Sequence, residues 1–308
     1  MKILIELPTW LGDSLMATPA IENLTNFFGD VDITLIGSSS VIKALENHPK
    51  VIKTFVFEKK YPSLYQFSKS LGKFDLFFSF RGSLRAKIMK FYISANKKYQ
   101  FDKKKYQKAH QVEKYNFFIN DCLGINSSAG RLILNANITN IASSKKLLGI
   151  NPGAKYGNSK IWYPEKFANV AIDLSSDFDI LIFGGPDEKD RAKSIENYLI
   201  NNGITNYLNL AAKTNINELI NHIANLDLFV TGDSGPMHIA AALQIPTVSI
   251  FGPTKDKETS QWMNEKSMIV KKNLECQPCM KRTCPLKHHN CMKTVEVKDV
   301  LAAAKKIS

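Results

Sequence analysis

Residues 228–242 constrain the fold of this 308-residue chain more than any other stretch. A short apolar run, residues 228–231, passes through Gly232-Asp233-Ser234-Gly235 directly into the alanine-rich stretch Pro236-Met237-His238-Ile239-Ala240-Ala241-Ala242. Strand, tight turn and helix N-terminus in that order make up the first part of a βα unit, and such units build parallel sheets with covering helices. A helix N-terminus also carries unpaired backbone N–H groups and a partial positive charge, so it is a prepared site for a phosphate or another anion. The expectation is a nucleotide or nucleotide-sugar protein.

The same alternation runs along the rest of the chain. Residues 2–7, 31–36, 51–57 and 75–80 read as strands, and residues 13–28 have helical apolar spacing. The stretch 95–145 is polar, basic and irregular, and the first domain is expected to close there. A second series follows, with strands at 147–151, 179–183 and 247–251 and helices at 164–174, 188–200 and 217–224. The fold class is therefore α/β, with two Rossmann-like domains over residues 1–144 and 145–308. A last helix packed back on the first domain is compatible with this division. No run of about 18 apolar residues is present to span a bilayer. The N-terminus, with Glu6 inside its apolar run, reads as a first strand rather than a signal peptide. A cytoplasmic location is the default.

The net charge of +13 is unevenly placed. Residues 81–114 hold 11 Lys/Arg against 2 Asp/Glu, a surplus equal to that of the whole N-terminal half. Such a patch suits an anionic partner: acidic lipid headgroups, a phosphorylated glycan or nucleic acid. A solvated lysine-rich surface accounts for the lysines equally well. Arg81 and Arg85 stand apart, because they follow the apolar run 74–80, at the strand end where an α/β fold places its binding loops.

Four loops at strand ends, residues 152–162, 184–188, 232–236 and 252–255, carry Gly, Ser and Thr, and the first carries Lys160. Glycines let backbone amides approach a diphosphate and a lysine adds a point charge, although ordinary β–α turns use the same residues. Asp13, straight after the first strand, suits a helix N-cap or a general base. His238 faces either a ligand or the sheet. Cys276, Cys279, Cys284 and Cys291, with His288 and His289 among them, have a spacing that permits zinc, an iron–sulfur cluster, two disulfides or free thiols. Cys122 sits in an apolar helical pattern and reads as core, and His110 has no functional support.

Four segments, Leu11-Gly12-Asp13-Ser14-Leu15-Met16-Ala17-Thr18-Pro19-Ala20-Ile21, Asn151-Pro152-Gly153-Ala154 with Lys160-Ile161-Trp162, Gly232-Asp233-Ser234-Gly235-Pro236-Met237-His238 and Phe251-Gly252-Pro253-Thr254, resemble in this order the ADP-heptose:lipopolysaccharide heptosyltransferases, glycosyltransferase family 9, most closely their heptosyltransferase II branch. The resemblance runs through nearly the whole chain. It implies the GT-B fold, two Rossmann-like domains facing across a cleft, and inverting transfer of heptose from ADP-L-glycero-D-manno-heptose to an inner-core heptose of lipopolysaccharide. By the same match Asp13 is the base, and Lys160 with the amides of 233–235 meets the leaving diphosphate. Gly12, Ala154, Lys160, Asp233, Ser234, Gly235 and His238 line the donor site, with Glu188 as a looser match near the nucleoside.

Arg81, Arg85 and Lys87 are the acceptor-side candidates, taken from the basic window. The implied partners are ADP-heptose, a heptosyl-Kdo2-lipid A acceptor and the anionic inner face of the cytoplasmic membrane of a Gram-negative bacterium, bound peripherally. No cofactor is required for catalysis on this reading; zinc or iron–sulfur at the cysteines would be structural. Competing readings are an ADP-heptose transferase with another acceptor, including protein, and a basic nucleic-acid-binding module. The second lacks any helix-turn-helix, RNP-like or zinc-finger pattern, so nucleic acid is not an expected partner. A dinucleotide oxidoreductase lacks its G-x-G-x-x-G after the first strand.

Overall fold

The computed structural model describes residues 1–57 and 64–307. The chain forms two compact units, residues 1–136 and 137–308; the expected boundary at 144/145 falls just before the second unit's first strand.

The first unit runs β1 (Lys2–Glu6), α1 (Leu11–Met16), α2 (Thr18–Phe28), β2 (Asp32–Gly37), α3 (Ser39–Leu45), β3 (Val51–Val56), α4 (Leu64–Ser70), β4 (Lys73–Ser79), α5 (Leu84–Tyr92), β5 (Ser94–Gln100) and α6 (Gln111–Leu123). Its five strands lie in the order β3-β2-β1-β4-β5, all parallel. β1 is central and buried on both faces, which is why it reads as a continuous apolar run. The helix expected over 13–28 is two helices. Ala17 separates α1 from α2, and Pro19 fills the first turn of α2, where its missing N–H costs nothing.

The stretch 95–145 is more regular than expected. It contains β5, an edge strand whose half-solvated residues explain its polar sequence. It also contains α6, which begins with a capping box: His110 Nδ1 accepts from the Val112 N–H at 3.3 Å, and Glu113 accepts from the His110 N–H at 2.8 Å. The buried face of α6 includes Val112, Tyr115, Phe118 and Ile119, and the helix packs on α2. Cys122 is half-buried at its end, and burial pushes its thiol up to about 12.

The second unit runs β6 (Lys146–Asn151), α7 (Pro164–Leu174), β7 (Phe178–Ile182), α8 (Lys189–Asn201), β8 (Tyr207–Asn209), α9 (Ile216–Ala224), β9 (Leu228–Gly232), α10 (Gly235–Ala242), β10 (Thr247–Ile250), α11 (Asp256–Thr259), β11 (Ser267–Val270), α12 (Asn290–Lys293) and α13 (Val297–Ala304). Its parallel sheet has the order β11-β10-β9-β6-β7-β8. Counted within the unit this is 3-2-1-4-5-6, the doubly wound order of dinucleotide-binding folds. The core gathers Leu148, Ile150, Trp162, Phe167, Ile180, Val230 and Val248 between sheet and helices. α13 belongs to this core, burying Val300, Ala303 and Ala304 beside α7 and β11.

Both strand orders have a switch point, between β1 and β4 in the first unit and between β6 and β9 in the second. The connections leave there in opposite directions, and a crevice opens beyond the carboxyl ends of the strands.

Candidate active site

Asp13, Arg81, Arg85, Lys160, Asp233 and Ser234 follow the strands that border these two switch points, whereas Glu188 follows β7, Lys87 lies further along α5 and the four clustered cysteines come after β11. In the second unit, register places Asn151 at the end of β6 opposite Thr231 of β9. The Asn151 amide donates to Thr231 Oγ1 at 2.9 Å and to Ser234 Oγ at 3.0 Å, tying both strand ends to the turn. That turn carries Asp233, which is buried. Its carboxylate accepts from Thr254 Oγ1 at 2.6 Å and pairs with Lys160 Nζ at 2.5 Å. Lys160 also donates to the Asp233 carbonyl at 3.3 Å and lies 4.8 Å from the centre of the Tyr156 ring. Three loops, after β6, β9 and β10, are thus joined through one carboxylate, and the ammonium is held at a fixed place instead of swinging on its four-carbon stem.

α10 starts two residues beyond Asp233, with Ser234 as N-cap in extended conformation, no side-chain cap on its amides and no acidic residue in its first turn. Its positive end is left for an outside anion. His238 is buried one turn into α10.

Ala154 is buried in the loop after β6, beside Gly153. A side chain at Gly153 would meet Glu188, since a Cβ there would stand 2.8 Å from Glu188 Cγ. Glu188 is itself buried; it accepts from the Gly185 N–H at 2.7 Å and pairs with Arg191 at 3.7 Å. The glycine therefore admits the glutamate between the loops after β6 and β7.

In the first unit, Glu6 ends β1 opposite Ser79 of β4. Glu6 is 1% exposed; Ser79 Oγ donates to its Oε2 at 2.6 Å, and Arg81 faces its Oε1 at 3.5 Å. Desolvation raises the Glu6 carboxyl above its ordinary value, and Ser79, Arg81 and Arg85 only partly offset this. Arg85 is buried, its guanidinium 4.4 Å from the centre of the Phe57 ring. Arg81 and Arg85 are thus brought together around one carboxylate. Lys87 is exposed, two residues on and on another face of α5.

Asp13 is not an N-cap. Trp10 holds that position, and Asp13 is the half-buried third residue of α1, in the first turn, where negative charge is favoured. Gly12 beside it is buried. Tyr115 of α6 stands within electrostatic reach. Burial, and then the charge of Asp13, push its phenol well above the ordinary value, so a neutral hydroxyl accompanies the carboxylate.

Glu6, Ser79, Asn151 and Thr254 were given no site role from the sequence, although Asn151 and Thr254 lie in the motif segments. The signal for Glu6 was present, an acid closing an apolar strand. The others make their contacts across strands or loops distant in sequence, which no local pattern reveals.

The four clustered cysteines line one small pocket with Ser159, Pro253 and His288. All are free thiols, and burial plus the neighbouring sulfurs push Cys291 up to about 11. The donor set suits zinc or iron–sulfur in type but not in arrangement. Among the described residues no group of three or more His, Cys, Asp or Glu stands in metal-holding geometry. Among the same residues no helix is long and apolar enough to cross a membrane.

Comparison with known proteins agrees with the fold. Residues 66–290 match the model of glycosyltransferase family 9 (heptosyltransferase). Lipooligosaccharide heptosyltransferase 2 of Campylobacter jejuni serotype O:2 is 42% identical, over 100% of this chain and 98% of its own length. In fold, the chain is similar to the ADP-heptose lps heptosyltransferase II of E. coli, with a TM-score of 0.85 at 19% identity, covering 100% of this chain and 98% of the other. It is also similar to E. coli heptosyltransferase WaaC with ADP-2-deoxy-2-fluoro heptose, with a TM-score of 0.78 at 15% identity and full coverage of both chains.

Proposed function

Because the chain belongs to glycosyltransferase family 9 and is a GT-B heptosyltransferase of lipopolysaccharide or lipooligosaccharide core assembly, we propose that it takes heptose from ADP-L-glycero-D-manno-heptose and adds it, with inversion, to an inner-core heptose of heptosyl-Kdo2-lipid A. The donor reading is supported by the switch-point crevice of the second unit and by the ADP-sugar analogue that the name of a structural neighbour records. The acceptor reading is supported by the name of the Campylobacter relative.

The acceptor hydroxyl gives its proton to the Asp13 carboxylate as its oxygen attacks the anomeric carbon of heptose. The bond from that carbon to the β-phosphate oxygen breaks, and ADP leaves with the electron pair. Charge that grows on the diphosphate meets Lys160 and the open N-terminus of α10, groups already in place and needing little reorganisation. Gly12, Ala154, Ser234, Gly235 and His238 border the donor on this reading, and Asp233 holds Lys160 in place. Glu188 lies towards the nucleoside. Arg81, steadied by Glu6, faces the anionic acceptor on this reading, with buried Arg85 adding its charge from behind and Lys87 lying on the outward face of α5. The reaction needs no cofactor, because fixed protein charge does what a metal would do for the leaving group. The protein would work peripherally at the inner face of the cytoplasmic membrane.

The observation that carries this reading is the Lys160–Asp233–Thr254 cluster beside the uncapped start of α10. An ADP-release assay with ADP-heptose and deacylated heptosyl-Kdo2-lipid A tests it. Acceptor-dependent turnover is expected. Donor binding without turnover would move the protein to another acceptor, and absence of donor binding would overturn the reading.

A further inference from the structure

Helix α5 is amphipathic in an inverted sense. Its inward face buries Arg85, Ala86 and Met89, while Leu84 and Phe91 stand 70% and 77% exposed. They are seven residues apart, two turns of helix, so they share the outward face, and exposed Lys87 lies on it between them. The apolar surface continues sideways. The Tyr92 ring meets Phe91 at 5.3 Å and Tyr65 of α4 at 5.1 Å, and Tyr65 is itself 52% exposed. Lysines surround it: Lys69 Nζ lies 5.8 Å from the centre of the Tyr65 ring, and Lys98 Nζ donates to the Phe91 carbonyl at 3.3 Å. Tyr65, Lys69, Phe91, Tyr92 and Lys98 line an open groove. Residues 64–101 contain eight Lys/Arg and a single acid, Asp75. Its carboxylate is engaged by the Lys2 N–H near the amino end of β4.

We propose that this face of the first unit docks on an anionic phospholipid surface, with Leu84 and Phe91 entering the headgroup boundary and the lysines meeting lipid phosphates. Large exposed apolar side chains rimmed by charge mark an interaction surface. Aromatic rings ringed by lysines, whose stems lie along apolar surface while the ammonium stays wet, suit a bilayer interface. A two-fold contact with a second copy would set this lysine-rich face against itself, with like charges opposed. The proposal deepens the functional reading, since a lipid-linked acceptor is presented on such a surface, but its test does not depend on transfer.

The full chain is sedimented with phosphatidylcholine vesicles, with and without phosphatidylglycerol, at low and high salt. Binding is expected only with phosphatidylglycerol and is expected to weaken with salt. A basic residue near an anionic surface contributes about fivefold in affinity, so Lys69→Glu with Lys98→Glu should cost well over tenfold. Leu84→Ser with Phe91→Ser should cost a similar factor. Ile200→Ser, at an exposed apolar residue on α8 of the second unit, should change nothing. Unchanged circular dichroism confirms that the variants fold. The proposal is overturned by equal binding to neutral vesicles, by no vesicle binding, by Ile200→Ser weakening binding as much, or by a concentration-dependent dimer that Phe91→Ser abolishes. Vesicle binding without transfer to the deacylated acceptor would leave this proposal standing and overturn the acceptor reading instead.

Discussion

Glu6 and Asn151 hold equivalent places in the two sheets. Each is the last residue of the first, central strand of its unit, and each bonds by side chain to the residue opposite on the fourth strand: Glu6 to Ser79 at 2.6 Å, Asn151 to Thr231 at 2.9 Å. The chemistry differs. The first unit has a buried carboxylate drawing two arginines around it, and the helix beyond carries Asp13 in its first turn. The second has a neutral amide, and the helix beyond its switch point, α10, starts with no acid and no side-chain cap. One topology thus places a carboxylate, Asp13, in the helix that follows one switch-point strand and an uncapped helix start after the other. On the proposed reading, the proton acceptor stands at the first and the leaving diphosphate at the second.

The sharpest way to break this comparison is Asp13→Asn. Loss of a general base costs on the order of 10²–10⁴ in turnover, so kcat should fall by that factor while ADP-heptose still binds. Steady-state ADP release and donor titration check both halves. A variant that keeps its turnover would remove the base from the first unit.

Lys160→Ala should follow, because a donor hydrogen bond to a charged group is worth about 1.5–3 kcal/mol, roughly ten- to a hundredfold in diphosphate affinity. It also leaves the buried Asp233 without its cation. ADP titration against wild type measures this.

Thr254→Val should have a smaller effect. It removes the 2.6 Å bond that orients Asp233 and so loosens Lys160 indirectly. About a tenfold rise in donor Kd is expected from a net loss near 1–1.5 kcal/mol, with the fold unchanged by circular dichroism.

The smallest effect is a pH dependence in the first unit. The folded-state pKa of Glu6 is raised, so the folded state binds this proton more tightly than the unfolded state. The stability that this gives is fully present below the ordinary carboxyl value and is lost as pH rises through the raised value. Glu6→Gln removes the titration while keeping an acceptor for Ser79. The melting temperature of the variant relative to wild type should therefore be higher at neutral pH than near pH 4, a series of melts being the check. A difference independent of pH would contradict the burial account.

The central strands were legible because strands buried on both faces read as unbroken apolar runs, and α7 because its proline marks its first turn. Edge strands such as β5 and β8 were not, since half their residues face solvent and their sequences are polar. α6 was read only as an apolar helical pattern around Cys122; its start was masked by the basic run at residues 103–108 before it, although His110 and Glu113 form its capping box. The candidate site was legible wherever it lies in a turn, as for Lys160 and Asp233. It was not legible where a strand register creates it, as for Glu6 with Ser79, which are 73 residues apart. Arg81 and Arg85 were readable as basic residues at a strand end, but the carboxylate that gathers them was not.

The assignment of base to one unit and anion to the other is tested most directly by ADP titration of the full chain in three forms: wild type, Asp13→Asn and Lys160→Ala. The account predicts that Asp13→Asn binds ADP as wild type does and that Lys160→Ala binds at least about tenfold more weakly. Weakened ADP binding in Asp13→Asn together with unchanged binding in Lys160→Ala would contradict it.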